Sequence, residues 1–305
     1  MNPSRMIVGN APVSWGVYEA DRPNPPFARV LDEIAAAGYE GTELGPYGYL
    51  PTAADALSGE LKRRRLRLGS SFVPLPLEDA GRRAQSVQAS LDVARLLATQ
   101  GVEELIIADD EGPERARIAG RIPKDGSAGW SDAQWREAVA TLHAVARAIR
   151  DALGMRVVVH HHAGTFIETP AEIDRLLEET EPEQVGLLLD TGHAAYGGAD
   201  PVEVARKHGE RIRYVHLKDV DGAELQHVFN SSVPMEEAWK RGVFCALGEG
   251  VVDFPGVVET LRGKGYAGWM IVEQDVVPDA QGRLVPDPAQ SARQSRRYLK
   301  DKVGL

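Results

Sequence analysis

Short runs of apolar residues recur along this chain, and most of them lead directly into polar or charged residues. Runs of this length, bounded by glycine or polar residues, are typical of strands that are buried on both faces of a parallel sheet. The pattern predicts eight strands, at residues 6–10, 39–44, 66–73, 102–108, 155–162, 184–190, 212–218 and 268–273.

Helical periodicity fills the segments between these strands. In residues 81–100, for example, Val87, Leu91, Ala94 and Ala98 fall on one stripe. Several helix starts have the spacing of a capping box, in which the N-cap residue and the residue three positions later bond to each other's backbone N–H. The three pairs are Ser131 with Gln134, Thr169 with Glu172, and Asp200 with Glu203.

The alternation of strands and helices predicts right-handed βαβ units. Eight such units in 305 residues favour an α/β fold that closes into a single (β/α)8 TIM barrel over residues 1–305. Two segments are longer than ordinary connectors: a loop after the fourth strand, at about 111–130, and an irregular insertion after the seventh, at about 220–250. A doubly wound open sheet is the alternative, but no Gly-x-Gly-x-x-Gly motif follows the first strand.

Composition narrows the class of protein. The net charge is −10, and the one basic run, at 62–65, lies where a helix should end, so a solvated helix terminus is favoured over a nucleic-acid patch. The single cysteine, Cys245, excludes an internal disulfide and fits a reducing compartment. With no apolar window of membrane-spanning length and no signal-peptide pattern, we expect a cytoplasmic protein without nucleic-acid or membrane partners.

The predicted strands end in residues that could share one site, because active sites of TIM barrels lie at the carboxyl ends of the strands. Carboxylates packed together repel one another, and a bound divalent cation relieves that repulsion. Imidazole beside carboxylates suits Mn²⁺, Co²⁺, Zn²⁺ or Fe²⁺. The candidate residues are Trp15, Glu43, Asp109, His160, His162, Asp190, His193, His216, Lys218 and Glu273.

Some residues at the strand ends could have a purely structural role. His160, His161 and His162 alternate across the fifth strand, so at least one ring must point away from the barrel interior. We expect His161 to be that structural histidine. Asp190 could serve only as the cap of the turn that follows it, although the buried strand before it favours a functional role.

A family resemblance adds to this picture. Segments at 160–169, 189–193, 215–219 and 272–275 resemble the xylose-isomerase-like barrel superfamily of sugar isomerases, epimerases and endonuclease IV. Within that superfamily, the segments Ala-Pro-Val-Ser-Trp-Gly at 11–16 and Gly-Thr-Glu-Leu-Gly at 41–45, with the triple histidine, are most similar to inosose dehydratases of inositol catabolism.

The resemblance implies a divalent ion held by a Glu, Asp, His, Glu set from the last four strands. Asp190, His216 and Glu273 match three of these ligands. The fifth strand ends in histidines where relatives place the first glutamate, so we favour Glu168, with His160 or His162 as the substitute. We expect Mn²⁺ or Co²⁺, with Zn²⁺ or Fe²⁺ as alternatives.

The resemblance also implies the chemistry, a dehydration of a keto-inositol through an enediolate. The metal would acidify the C–H beside the carbonyl, and acid–base residues would move the protons. For the proton transfers we expect His160 or His162 together with Glu168 or Glu273, and Lys218 would stabilise the developing charge. The expected substrate contacts are Trp15 as an apolar wall, Glu43 with a hydroxyl, and Asp109 and His193 as further candidates.

Other functions remain open at this point. A metal-dependent ketose or sugar-phosphate isomerase or epimerase would share the metal and the enediolate, and four cations in the long loop, Arg115, Arg117, Arg121 and Lys124, could meet a phosphate. An endonuclease is disfavoured by the acidic charge. A non-catalytic sugar-binding barrel is disfavoured because the acidic strand ends are retained. By analogy alone, related barrels suggest a homodimer or homotetramer.

Overall fold

The structure is a computed structural model, which describes residues 5–110, 112–279 and 282–305. Eight parallel strands form the barrel, and β3 has two segments. The sheet closes because those two segments pair with β2 and β4 respectively. The strands are β1 Ile7–Asn10, β2 Gly41–Thr42, β3 Arg67–Leu68 and Phe72–Leu75, β4 Glu104–Asp109, β5 Arg156–His160, β6 Val185–Asp190, β7 Ile212–Leu217 and β8 Trp269–Val272.

Helices surround the barrel, as the alternating pattern predicts, and the predicted TIM barrel is confirmed. In the described residues no helix has the length and apolar character needed to cross a membrane. The α-helices are α1 Phe27–Ala36, α2 Ala54–Arg64, α3 Arg83–Thr99, α4 Pro113–Ile118, α5 Asp132–Leu153, α6 Pro170–Glu179, α7 Thr191–Tyr196, α8 Pro201–His208, α9 Gly222–Ser231, α10 Met235–Lys240, α11 Phe254–Gly263 and α12 Pro288–Tyr298.

Two of the three predicted capping boxes form. Ser131 and Thr169 each accept from the backbone N–H three positions later, and the glutamine or glutamate there bonds back. The prediction for Asp200 is wrong in detail, because its carboxylate accepts from the backbone N–H of Val202. Glu203 pairs with Arg206 instead of completing the box.

Both long connections contain structure of their own. The loop predicted at 111–130 carries α4, and its first residue lies outside the described part of the chain. The insertion at 220–250 contains two helices, α9 and α10, so it is more regular than the sequence predicts. An antiparallel pair of two-residue strands, Asp219–Val220 and Phe244–Cys245, anchors this insertion to the end of β7.

The alternation of side chains along the strands determines what reaches the top of the barrel. Val158, Leu188, Tyr214 and Ile271 pack together in one small buried cluster inside the barrel. Their neighbours Val157, Val159, Leu187, Leu189 and Val215 belong to the larger core that includes the surrounding helices. Because side chains alternate with a period of two, the residue two positions after each interior residue also points inward.

Candidate active site and metal centre

Four buried side chains meet at the carboxyl ends of β5 to β8. His160, Asp190, His216 and Glu273 each offer one ligand atom, and these atoms lie within 4.8 Å of one another. Each residue follows an interior residue by two positions, which is why strand geometry brings all four to one place. Asp190 and His216 are also direct partners in the pairing of β6 with β7.

The donor set fits a divalent transition metal. Two imidazoles and two carboxylates are the ligand types that Mn²⁺, Co²⁺, Zn²⁺ and Fe²⁺ accept. Oδ2 of Asp190 and Nδ1 of His216 are buried and make no hydrogen bond within the described residues. Buried polar atoms normally have partners, so these two atoms are suited to a ligand that the protein itself does not supply.

Neighbouring charged side chains shift the pKa values of the residues in this group. Burial would raise the pKa of Glu273, but the charges of His216 and Lys218 lower it to about 2. Burial would lower the pKa of His216, but Glu273 and Glu43 raise it well above its usual value, so a metal bound at Nδ1 would displace a proton from this ring. Burial lowers the pKa of His160, which keeps that ring neutral and able to bind a metal.

Glu43 holds His216 in position. Its Oε1 lies 2.9 Å from Nε2 of His216 and accepts a hydrogen bond from that nitrogen, which leaves Nδ1 directed toward Asp190 and Glu273 at 3.6 Å and 3.2 Å. A carboxylate behind a ligating histidine fixes the ring orientation and raises its basicity. Glu43 was predicted to contact a substrate hydroxyl; it does line the cavity, but its hydrogen bond goes to His216.

We expect Glu43→Gln to weaken metal binding about 10- to 100-fold, because the amide is a weaker acceptor for the His216 ring. Titration of the metal-free protein with Co²⁺, followed by its absorption spectrum, measures this change. Glu19→Gln is a suitable control, because Glu19 also lines the cavity and its carboxylate bonds to exposed Arg22. Equal affinities in the two variants would contradict the role of Glu43.

His161 faces away from the barrel interior, as expected. Its Nε2 accepts a hydrogen bond of 3.2 Å from the backbone N–H of Asp190, and the ring is fully buried. Burial lowers the pKa of His161 to about 3, so the ring is neutral and can accept that bond. The neighbouring strand thereby fixes the backbone from which the Asp190 carboxylate projects.

Glu168 does not join the four donors. Its carboxylate accepts hydrogen bonds from the backbone N–H groups of Gly120 and Gly164, at 2.6 Å and 2.8 Å, and Arg115 lies 3.8 Å away. Burial raises the pKa of Glu168 to about 7. The residue therefore ties the loop after β4 to the loop after β5, and the place expected for a first glutamate ligand is taken by His160.

The segment Asp-Thr-Gly-His at 190–193 packs against Lys218, which directly follows β7. The Thr191 hydroxyl donates to the backbone carbonyl of Lys218 at 2.7 Å and accepts from the backbone N–H of Lys218 at 2.9 Å. A Cβ atom on Gly192 would lie 2.6 Å from the Lys218 side chain, so only glycine leaves room for it. Nε2 of His193 lies 3.0 Å from the Lys218 ammonium.

Lys218 is the central cation of the site. Its ammonium lies 3.0 Å from Asp275, 3.1 Å from Glu273 and 3.4 Å from Asp190. Burial would lower the pKa of Lys218, but these carboxylates raise it well above its usual value, so the side chain carries a proton. If a metal took Asp190 and Glu273 as ligands, Asp275 would be the carboxylate that still holds the ammonium. Burial raises the pKa of Asp275 to about 6.

A cavity of about 410 Å³ opens above these residues. Aromatic side chains form much of its wall, and Tyr18 stacks on Trp239 with ring centroids 5.9 Å apart. The polar lining is Glu19, Glu43, His160, His162, His216, Lys218, Glu273 and Asp275, and the aromatic lining is Tyr18, Tyr47, Phe72 and Trp239.

Three predicted substrate contacts lie outside this lining. Trp15 is buried, and its indole N–H donates to Glu33 of α1 at 2.6 Å. Asp109 accepts from the backbone N–H of Phe166 at 3.1 Å, and burial raises its pKa to about 8. His193 is fully buried beside the ring of His162, with centroids 3.7 Å apart. These three side chains therefore contact other protein groups and do not face the cavity.

Sequence reasoning assigned no role to the aromatic lining or to Asp275. Asp275 follows Glu273 by two positions, so period-two alternation could have identified it. Trp239 belongs to the insertion after β7, and its contact with Tyr18 joins residues far apart in the chain. No local pattern in the sequence signals such a contact.

The fold and the buried donor group define a TIM barrel with a candidate metal centre at the carboxyl ends of its strands. The profile of the xylose isomerase-like TIM barrel family matches residues 31–302, and the chain belongs to this family. An inosose dehydratase of Geobacillus kaustophilus is 34% identical over 98% of this chain and 94% of its own length.

Solved structures share the fold at lower identity. The probable 3-DHS dehydratase AsbF of Bacillus anthracis has a TM-score of 0.70 at 18% identity, over 97% of this chain and 99% of its own. The IOLI protein, solved with a bound zinc atom, has a TM-score of 0.70 at 14% identity, over 98% of each chain.

Proposed function

We propose that this protein is a metal-dependent carbon–oxygen lyase of the inosose dehydratase type, which removes water from a keto-inositol. The observation that carries the proposal is the buried group of His160, Asp190, His216 and Glu273 beside the Lys218 ammonium. Curated relatives named inosose dehydratase match it over nearly their whole length, at 28% to 34% identity. The proposal includes a cytoplasmic location and a place in inositol catabolism.

We assign metal binding to His160, Asp190, His216 and Glu273, and we expect Mn²⁺ or Co²⁺. A bound divalent ion would act as a Lewis acid on the substrate carbonyl and so acidify the neighbouring C–H. Asp190 and Glu273 would neutralise its charge, while Glu43 would hold His216 in the orientation that ligation needs.

His162 is suited to accept the proton from carbon. Its Nδ1 lies 2.7 Å from the carbonyl oxygen of Ala163, and a carbonyl can only accept, so Nδ1 carries the hydrogen. Burial lowers the pKa of His162 well below its usual value, so the neutral ring keeps its lone pair on Nε2. The ring lines the cavity, as a general base must.

Lys218 is suited to donate the proton that the leaving hydroxyl needs. Its ammonium is protonated, lines the cavity and is held by Asp275. We assign it the donation of a proton to the β-hydroxyl that leaves as water. The reaction then balances, because one proton leaves carbon, one reaches the departing oxygen, and one water is released per substrate.

The stacked pair of Tyr18 and Trp239 is suited to the C–H faces of a cyclic polyol, because aromatic rings bury apolar surface without needing a polar partner. We expect Trp239→Ala to raise KM roughly tenfold and to leave bound metal unchanged. Steady-state kinetics with metal analysis test this, and Trp239→Phe should restore most of the affinity. Loss of metal in the alanine variant would contradict it.

Mass spectrometry of scyllo-inosose incubated with the enzyme in D₂O, with Mn²⁺ or Co²⁺ and with a chelated control, tests the proposed reaction. Metal-dependent loss of one water supports the dehydratase. Deuterium uptake without loss of water would replace it with the alternative, a ketose or sugar-phosphate isomerase or epimerase. If scyllo-inosose neither lost water nor took up deuterium, both the dehydratase and the isomerase or epimerase assignment would be overturned for this substrate.

A further inference from the structure

A second cavity lies at the amino-terminal end of the barrel, opposite the candidate metal centre. It measures about 650 Å³, which is within the usual range of small-molecule sites. The starts of β1, β3, β4, β5, β7 and β8 line it, together with the turn between α3 and β4. Its floor includes the apolar side chains of Leu61, Leu66 and Trp269.

Positive charge is concentrated at this cavity, although the protein as a whole carries a net charge of −10. Two carboxylates, Glu103 and Glu104, also line the cavity and form ion pairs with Arg156, and Arg5 pairs with Glu40. The lining cations are Arg5, Lys62, Arg67, Arg156 and Arg213.

Two of the guanidinium groups are held in place before any ligand binds. Arg67 lies over the Trp269 ring, 5.3 Å from its centroid. Arg213 donates to the carbonyl of Pro182 at 2.6 Å, and its aliphatic chain packs so closely on Gly186 that a Cβ there would lie 2.8 Å from it. Groups that are already ordered lose less conformational entropy when a ligand binds.

Arg213 forms no ion pair with the described residues, and its Nη1 is buried without a hydrogen bond to them. Burial and the charge of Arg156 lower the pKa of Arg213, and the charges of Glu104 and Glu183 oppose this only in part. An anion placed between such cations would relieve their mutual repulsion and satisfy their N–H groups. Arginine binds phosphate and carboxylate groups through paired hydrogen bonds, which gives this arrangement its specificity.

We propose that this cavity binds a small organic polyanion, one that carries phosphate groups or several carboxylates, through Arg67, Arg213 and Lys62. The site is separate from the proposed dehydratase centre, since the two lie at opposite ends of the strands. Its ligand is an additional molecule and not the neutral polyol substrate.

Calorimetric titration of the metal-loaded full chain with fructose 1,6-bisphosphate, with tricarballylate and with neutral fructose tests the proposal at low ionic strength. We expect saturable binding of at least one anion with a Kd below about 1 mM, weakened by 0.5 M NaCl. Binding of the bisphosphate alone would identify phosphate as the preferred group, and binding of tricarballylate alone would identify carboxylates. No saturable binding of either anion would overturn the proposal.

Variants localise the binding. Arg67→Gln and Arg213→Gln should each weaken the anion about tenfold or more. Arg175→Gln is the matched control, because Arg175 lies over the ring of Trp135 in the same manner but away from this cavity. Arg67 is exposed, so its variant stays informative if Arg213→Gln does not fold. Unchanged affinity in the Arg67 variant would place the anion elsewhere and overturn the proposal, while the dehydratase assay would be unaffected.

Discussion

Replacing His160 with glutamine is expected to lower metal affinity about 100-fold or more and to reduce turnover roughly a thousandfold at limiting metal. His160 is the donor that β5 contributes, and its Nε2 lies 3.4 Å from Oδ2 of Asp190. Without this ring, two carboxylates and one histidine would remain to hold the ion. Metal analysis after dialysis, followed by activity at several metal concentrations, measures both effects.

Glu168→Gln is the control for this prediction, because Glu168 is the residue that the sequence favours as first ligand. Its carboxylate is occupied by the N–H groups of Gly120 and Gly164. We expect this variant to keep its bound metal, although the loss of charge beside Arg115 should lower its melting temperature. If Glu168→Gln lost the metal and His160→Gln kept it, the assignment of His160 would be wrong.

Replacing Lys218 with methionine is expected to reduce kcat roughly 10²- to 10⁴-fold, the usual cost of losing a general acid. Methionine keeps most of the volume of the side chain but removes the ammonium that faces Glu273 and Asp275. Bound metal should be retained, because Lys218 is not one of the four donors. Kinetics at saturating metal, with metal analysis of the same samples, test this expectation.

Stability gives a second measurement on the same variant. Removing Lys218 leaves Asp275 buried without its cation, and breaking a buried ion pair from one side costs about 3–5 kcal/mol. We therefore expect a lower melting temperature for the metal-free variant and partial recovery on metal addition, since the ion would compensate Asp190 and Glu273. Full activity in a folded, metal-loaded Lys218→Met protein would exclude Lys218 as the acid.

The barrel, and the position of Asp190, His216 and Glu273 at one end of it, could be predicted from the sequence. Parallel strands that are buried on both faces give apolar runs, which are visible without any long-range information. Asp190, His216 and Glu273 lie at the ends of such runs, and strand alternation directs all three inward. The capping boxes at Ser131 and Thr169 are equally local, so they could be predicted.

The remaining positions depend on contacts between distant segments, which local sequence patterns do not reveal. Glu168 lies in a loop whose path depends on the backbone of Gly120. Trp15 is turned away from the cavity by its bond to Glu33 of α1. Trp239 reaches the cavity only because the insertion after β7 packs against Tyr18. Strand periodicity fixes the direction of a side chain, whereas the position of a loop depends on the groups that it meets after folding.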